Sequence, residues 1–348
     1  MKPFLSVLPL SFKACLVAGM LSLGACDKKP ESAAAPAAKP AAAAPAAKKL
    51  KIAMVPKGTT HEYWKSIHAG AKKAEKELGN IEITFRGPEK EDDREQQISL
   101  MENLISAKYD AIVLAPLDET ALVAPVRQAM DAKIPVIIMD SGIKGKAGLD
   151  FVSFVATDNE NGGKLAGQRM SELLGGKGKV LLLRYVEGSA STALRENGFA
   201  TAAATAGLTV VDPKRYAGAT RATAQEASEN LLAANGDVVG IFCPNESTTF
   251  GMMLALKARG MNGKVKFIGF DSSKETVDAM AAGDINALVV QSPIRMGYLA
   301  VKAAADKLAA KDVSVRIDTG VTLISKDTMN TPESKELLSP DLKALLGN

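Results

Sequence analysis

From residue 50 onward, short runs of β-branched and aliphatic residues alternate with longer stretches of helical character. The runs are apolar at nearly every position, which is typical of strands that are buried on both faces of a parallel sheet under helices. Ten such runs occur: LKIAMV (50–55), IEITFR (81–86), AIVLA (111–115), PVIIMD (135–140), FVSFVA (151–156), KVLLLR (179–184), LTVVD (208–212), VVGIFC (238–243), VKFIGF (265–270) and ALVVQ (287–291). This alternation predicts an α/β fold of doubly wound parallel sheets.

The length of the alternating region favours two domains. About 299 residues follow residue 49, which is more than a single hydrophobic core usually organises. Ligands of doubly wound folds bind beyond the carboxyl ends of the strands. Polar and aromatic residues follow the predicted strands in both halves of the chain, so one pocket between two domains would collect them.

Residues 1–25 have the pattern of a secretory signal, with basic residues, a short apolar run and small residues at its end. The run is shorter than the roughly 20 apolar residues that a transmembrane helix needs. The sequence LGAC at 23–26 resembles the lipobox of bacterial lipoproteins. This resemblance implies that Cys26 is acylated and begins the mature chain. The aspartate that follows, Asp27, resembles an inner-membrane retention signal.

The start of the mature chain, residues 26–49, predicts a disordered tether because it is almost entirely Ala, Pro and Lys without apolar periodicity. Beyond it, Cys243 is the single cysteine, so no disulfide is expected and a small buried hydrophobe is favoured. The chain carries 43 basic and 39 acidic residues. No basic block lies outside the tether, which predicts no nucleic-acid partner.

Six motifs follow one another along the chain: VIIMD (136–140), ATDNENGGKLAG (156–167), STALRENGF (191–199), IFCPNE (241–246), FIGFD (267–271) and VVQSP (289–293). Their order and spacing resemble those of type I periplasmic binding proteins, specifically the ribose-binding branch of sugar receptors. The resemblance covers about residues 50–325. It implies two doubly wound parallel-sheet lobes joined by a multi-strand hinge. Residues 50–155 with 292–320 would form the N-terminal lobe, and residues 156–291 with 321–348 the C-terminal lobe.

The resemblance also implies a ligand site of polar and aromatic residues. Carboxylates and amides take hydrogen bonds from neighbouring sugar hydroxyls, an arginine donates to oxygens, and aromatic rings offer flat apolar faces. The residues at the matching positions are His61, Tyr63, Trp64, Asp140, Ser141, Arg195, Asn245, Asp271 and Gln291. This set implies binding without catalysis, without a cofactor and without a metal.

The segment HEYW (61–64) holds the single tryptophan and one of two histidines. In the resemblance, Tyr63 or Trp64 would stack on a sugar face and His61 would hydrogen-bond a hydroxyl. Alternatively, Trp64 and Ile67 are core residues of an amphipathic helix, and periodicity supports both interpretations equally. A zinc site is disfavoured because His68 lies seven positions after His61, whereas H-E-x-x-H needs four.

Two departures from the ribose-receptor pattern argue that the ligand is not ribose itself. Ser141 stands where an arginine usually follows the aspartate, and Trp64 is larger than the usual phenylalanine. The aromatic residue expected after the seventh strand is not obvious, since only Tyr216 and Ala219 lie nearby. A hexose, a modified sugar or a cyclitol therefore remains open.

The implied function is that of a monomeric, lipid-anchored extracytoplasmic receptor that closes on a sugar or cyclitol and delivers it to an ABC permease in the inner membrane. One alternative is a sensory receptor that presents the closed form to a chemoreceptor or membrane kinase. Another is a hydrolase with Asp140 and Asp271 as paired carboxylates. The acidic run EKEDDRE (89–95) predicts a solvated helix start, which makes Glu91 a surface charge.

Replacing Cys26 by serine should release the protein from membranes, because the acyl chain is the predicted anchor. Membrane fractionation and mass spectrometry of the N-terminal peptide check this. A Cys243→Ser control should remain membrane-bound. A Cys26→Ser protein that still sediments with membranes and carries no lipid would contradict the anchor.

Overall fold

The computed structural model describes residues 49–347. The predicted signal, Cys26, Asp27 and nearly all of the predicted tether lie outside these residues. Within residues 49–347, no helix is long and apolar enough to cross a membrane.

The first sheet has six strands, and every neighbouring pair in it is parallel. Its members are β1 (Leu50–Val55), β2 (Ile81–Phe85), β3 (Ala111–Leu114), β4 (Val136–Met139), β5 (Ser153–Ala156) and β11 (Arg316–Asp318). They lie in the order β11-β5-β4-β3-β1-β2. The reversal of strand order beside β1 is the doubly wound arrangement that the sequence predicts.

The second sheet has six strands in an equivalent order. Its members are β6 (Lys179–Leu182), β7 (Thr209–Val211), β8 (Gly240–Phe242), β9 (Lys266–Phe270), β10 (Ala287–Gln291) and β12 (Val321–Ser325). They lie in the order β12-β10-β9-β8-β6-β7, and only β12 runs antiparallel to its neighbour among the described strands. All ten predicted strands are confirmed, and β11 and β12 are additions that the sequence analysis missed.

Helices cover both sheets. They are α1 (Glu62–Leu78), α2 (Arg94–Ser106), α3 (Val123–Asp131), α4 (Asn159–Leu174), α5 (Ala190–Thr205), α6 (Arg221–Ala234), α7 (Glu246–Ala258), α8 (Lys274–Ala282), α9 (Pro293–Leu308), α10 (Pro332–Leu338) and α11 (Leu342–Leu346). We call each sheet, with the helices packed on it, a lobe. Helix α9 follows β10 of the second sheet but packs on α1, β3 and β4 of the first lobe.

The chain crosses between the lobes at four places: after β5, after β10, between β11 and β12, and between α10 and α11. Two of these crossings touch, since the Thr157 hydroxyl lies 3.4 Å from the Thr319 hydroxyl and donates to the Gly320 carbonyl at 3.3 Å. Helix α11 returns to the first lobe and packs against α1. The predicted assignment of residues 321–348 to the C-terminal lobe therefore does not describe α11.

Glycines set the closest helix approaches in both lobes. A Cβ atom on Gly70 of α1 would lie 2.0 Å from the Ile294 carbonyl oxygen of α9. In the second lobe, a Cβ on Gly163 of α4 would lie 2.0 Å from the Arg195 carbonyl oxygen of α5. Helices α1 and α5 are therefore held at backbone contact with their partners, which fixes the side chains that they carry.

Replacing Gly70 by alanine should lower the free energy of unfolding by about 1–3 kcal/mol, because the new methyl group would overlap a backbone carbonyl that cannot move alone. Urea denaturation followed by circular dichroism measures the change. Gly236→Ala is the matched control, since a Cβ there would meet no atom within 4 Å. Equal denaturation midpoints for the two variants would contradict the close approach.

Candidate functional site

Asp140 and Asp271 occupy equivalent positions in the two lobes, directly after β4 and β9. Their backbone N–H groups donate to Val155 O at 3.0 Å and to Val289 O at 2.8 Å, which extends each strand ladder by one residue. Both residues then adopt left-handed backbone angles, with φ of 63° and 64°. Aspartate tolerates this conformation better than most residues. The two carboxylates are buried and line a cavity between the lobes.

The cavity collects side chains from the loops after strands in both lobes. Its free volume is about 30 Å³, enough for a water molecule or two. Eight of the nine predicted ligand contacts line it: His61, Tyr63, Trp64, Asp140, Arg195, Asn245, Asp271 and Gln291. Six lining residues were not predicted: Lys57, Glu91, Tyr185, Ser191, Thr192 and Glu246.

Lys57 and Tyr63 hold the Asp140 carboxylate. The Lys57 ammonium lies 3.1 Å from Oδ2, and the Tyr63 hydroxyl donates to Oδ1 at 2.8 Å. Lys57 also donates to Ser191 Oγ of the second lobe at 2.9 Å. This lysine therefore neutralises a carboxylate of its own lobe and links the two lobes.

Arg195 and Gln291 hold the Asp271 carboxylate. Gln291 Nε2 donates to Oδ1 at 2.8 Å, and Arg195 Nη1 lies 3.7 Å from Oδ2. Burial raises the pKa of Asp271 to about 6, against the lowering effect of Arg195 and of the Gln291 hydrogen bond. Asp271 is thus an ionised acceptor at neutral pH that takes up a proton in mild acid.

The Arg195 guanidinium is fixed on several sides. Its Nε donates to Asn159 Oδ1 at 2.8 Å and its Nη1 to the Pro244 carbonyl at 3.0 Å. The guanidinium carbon lies 3.9 Å from the centroid of the Phe270 ring. An arginine immobilised in this way is a preorganised donor to oxygen atoms in the cavity.

Glu91 connects three side chains around the cavity. Its carboxylate accepts from Trp64 Nε1 at 2.8 Å and from the Tyr185 hydroxyl of the second lobe at 2.8 Å. His61 Nδ1 lies 2.6 Å from the same carboxylate. The prediction that Glu91 is a solvated surface charge is wrong, because the chain turns it inward just before Asp93 caps α2.

Glu91 and His61 form a charged pair. Burial alone would raise the pKa of Glu91, but the His61 charge outweighs it and lowers the pKa to about 2. Burial likewise opposes protonation of His61, but the Glu91 carboxylate raises the pKa of the imidazole to about 9. Because Nδ1 contacts Glu91, Nε2 is the ring nitrogen left for a ligand.

Trp64 lies in the cavity wall and in the core at once. It is buried among apolar side chains of the first lobe, meets the Tyr63 ring edge-on with centroids 5.0 Å apart, and uses its N–H on Glu91. Stacking of Tyr63 or Trp64 on a sugar face stays a prediction. His68 is half-buried and stacks on Phe85 at 4.4 Å, away from the cavity.

Ser141 is the one predicted contact that lies outside the cavity lining. It is fully buried, and its Oγ accepts from the Ser191 backbone N–H across the lobes at 3.1 Å. Asn245 lines the cavity while it caps α7, since its Oδ1 accepts from the Thr248 N–H at 3.2 Å. The geometry gives Ser141 a role in joining the lobes and does not support a direct ligand contact.

A larger cavity of about 550 Å³ lies beside the first one and shares Tyr63, Asp271 and Gln291 with it. The C-terminal segment 337–343 lines part of it. The smaller cavity holds the convergent charged groups and is therefore the candidate site. Across residues 49–347, no group of three or more His, Cys, Asp or Glu side chains is arranged to hold a metal ion.

Comparisons with known proteins agree with this architecture. The family model described as "periplasmic binding protein domain" matches residues 52–312. The ribose import binding protein of Haemophilus influenzae is 30% identical over 275 residues, which span 79% of this chain and 91% of the relative. The D-allose-binding periplasmic protein of Escherichia coli is 30% identical over 261 residues, which span 74% and 84% respectively.

A solved structure shows the same likeness. The ABC transporter solute-binding protein of Agrobacterium vitis with bound D-fucose superposes with a TM-score of 0.80 at 36% identity, covering 83% of this chain and 99% of its own. The family model spans most of the chain, and the two lobes have the strand order that the resemblance implies. The chain therefore belongs to the periplasmic binding protein family.

Proposed function

We propose that the protein is the solute-binding component of an ABC importer and binds a sugar or sugar-like polyol between its two lobes. The observation that carries this proposal is the buried cavity in which carboxylates, amides and cations from both lobes converge. Such a set of fixed donors and acceptors complements the hydroxyl groups of a sugar. Relatives named for ribose and D-allose, and a solved relative with bound D-fucose, support the same ligand class.

The mechanism follows from the size of the cavity and its links. A free volume of about 30 Å³ is too small for a sugar ring, so the lobes separate to admit the ligand. Separation breaks several hydrogen bonds between the lobes, among them Lys57 to Ser191, Tyr185 to Glu91, the Ser191 amide to Ser141, Arg94 to the Glu187 carbonyl, and the Glu119 amide to the Gly188 carbonyl. Motion about the crossings after β5, after β10 and between β11 and β12 would separate the lobes, and closure would bury the ligand for recognition by the permease. The predicted lobes, residues 50–155 with 292–320 and residues 156–291 with 321–348, are part of this proposal except for α11, which packs on the first lobe.

Membership of the family implies an extracytoplasmic location. We extend this to a monomer that is tethered to the membrane through acylated Cys26, with Asp27 favouring the inner membrane. Permease and membrane are then its macromolecular contacts, and no catalytic step is involved. The departures at Ser141 and Trp64 keep a hexose, a modified sugar or a cyclitol ahead of ribose.

The function is tested by thermal melting and calorimetric titration with D-ribose, D-allose, D-fucose, D-arabinose and myo-inositol. A ligand that binds only the native protein raises the melting temperature as its concentration exceeds Kd. We expect at least one member of the panel to do so. Absence of binding to this panel and to wider sets of sugars and polyols would contradict the proposed ligand class.

Replacing Asp140 or Asp271 by asparagine should weaken binding of the best panel sugar by about 10- to 100-fold, because a charge-assisted hydrogen bond is lost. Asparagine tolerates the left-handed backbone at both positions, so the change isolates the charge from backbone strain. Calorimetric titration after a circular-dichroism check measures the effect. Asp131→Asn, at an exposed site on α3, is the control. If the Asp140 and Asp271 variants bind the sugar as tightly as the Asp131→Asn control, the two carboxylates do not contact the ligand.

The His61–Glu91 pair should make stability fall at alkaline pH. The folded pKa of His61 is raised from 6.5 to about 9, so its stabilisation is fully present below pH 6.5 and is lost as the pH rises through 9. The shift corresponds to about 3 kcal/mol. Urea denaturation at pH 6, 7, 8 and 9 measures the loss.

The matched control uses the second histidine. His61→Gln should flatten the decline between pH 6.5 and 9, whereas His68→Gln should keep it, since burial lowers the pKa of His68. Parallel pH profiles for the wild type and His61→Gln would show that the pair does not stabilise the fold.

A further inference from the structure

Within the proposed sugar site, on which this inference rests, we infer that Glu246 is a ligand-binding residue whose Oε2 accepts a hydrogen bond from a ligand hydroxyl and selects neutral over anionic sugars. Glu246 was not predicted from the sequence. It follows the helix cap Asn245 and is the first residue of α7, in the second lobe. It lines the cavity with Asp271 and His61.

The two oxygens of the Glu246 carboxylate differ, because Oε1 has a partner and Oε2 has none in the described part of the chain. Oε1 forms an ion pair with Arg221, whose guanidinium lies over the Phe250 ring at 4.0 Å from its centroid. Oε2 is buried and has no hydrogen-bond partner among residues 49–347. Glu246 as a whole is 2% exposed. A buried carboxylate oxygen without a donor is unfavourable, so a donor supplied by the ligand would stabilise the bound state.

The position of Glu246 also defines what this donor is. Its charge raises the pKa of both His61 and Asp271, so it acts on groups of both lobes across the cavity. His61 Nδ1 is engaged by Glu91, which leaves Nε2–H as a donor. A hydroxyl group can accept from His61 and donate to Glu246 at once. A carboxylate at the same place would be repelled by Glu246 and could not donate.

The inference is tested on the full-length protein with Glu246→Gln. Calorimetric titrations use the panel sugar that binds the wild type best, each of its monodeoxy analogues, and its uronic acid where the sugar is a hexose. Glu275→Gln is the matched control, because Glu275 lies 4.0 Å from the same Arg221 but is exposed and outside the cavity. Thermal melts of each protein confirm folding.

We expect Glu246→Gln to lower the affinity for the parent sugar by about 10- to 100-fold. Glu275→Gln should change this affinity by less than about 3-fold. One deoxy analogue should bind the wild type poorly yet lose little further in Glu246→Gln, since the two changes remove the same hydrogen bond. The penalty against the uronic acid should also shrink in this variant. If Glu246→Gln fails to fold, Glu246→Asp is used in its place. The same losses of affinity are then measured in it for the deoxy analogues and for the uronic acid.

Two results would overturn the inference, and they are distinguishable. If the wild type binds a sugar but every deoxy penalty is the same in Glu246→Gln, then Oε2 does not meet the ligand, while the proposed function stands. If the wild type binds no sugar or polyol, both the proposed function and this inference fall.

Discussion

Charge balance inside a dehydrated cleft is the constraint on which the site depends. Three buried cations each face a buried carboxylate, and the partly exposed Arg221 pairs with the buried Glu246. Removing one member of a buried pair leaves the other unpaired at a cost of several kcal/mol. The four pairs are Lys57–Asp140, His61–Glu91, Arg195–Asp271 and Arg221–Glu246. Their charges cancel, so the cleft is rich in fixed hydrogen-bonding groups without a net charge. A neutral, hydroxylated ligand leaves this balance intact.

The two lobes supply these charges by the same device. A parallel strand ends, one more N–H group completes the ladder, and an aspartate turns into the left-handed conformation. Asp140 and Asp271 thereby reach the cavity from opposite lobes although they lie 131 positions apart in the chain. The parallel strands of each sheet end at a common edge, so positions directly after these strands gather at one side of each lobe.

The regular alternation of strands and helices also determines which features of the fold and the site could be predicted from the sequence. Ten strands were predicted because their apolar runs are continuous, whereas β11 (RID) is short and largely exposed and β12 (VTLIS) is only partly buried. Asp140, Arg195 and Asp271 were predicted as ligand contacts because they lie at fixed motif positions, and all three line the cavity. Glu91 was wrongly predicted to be exposed because its sequence neighbours are charged, and a charged segment is typical of a solvent-exposed surface. Only the tertiary contact with His61, Trp64 and Tyr185 shows that it is internal.

The hydrogen bond from Trp64 to Glu91 couples the fluorescence of the protein to a contact between the lobes. Trp64 is the single tryptophan of the chain, and its indole N–H donates to a carboxylate that also accepts from Tyr185 of the opposite lobe. If the lobes part as proposed, that carboxylate would lose its Tyr185 partner and gain water, and the electric field at the indole would change. Ultraviolet emission of the unlabelled protein would then report the separation of the lobes, including any opening that occurs without ligand.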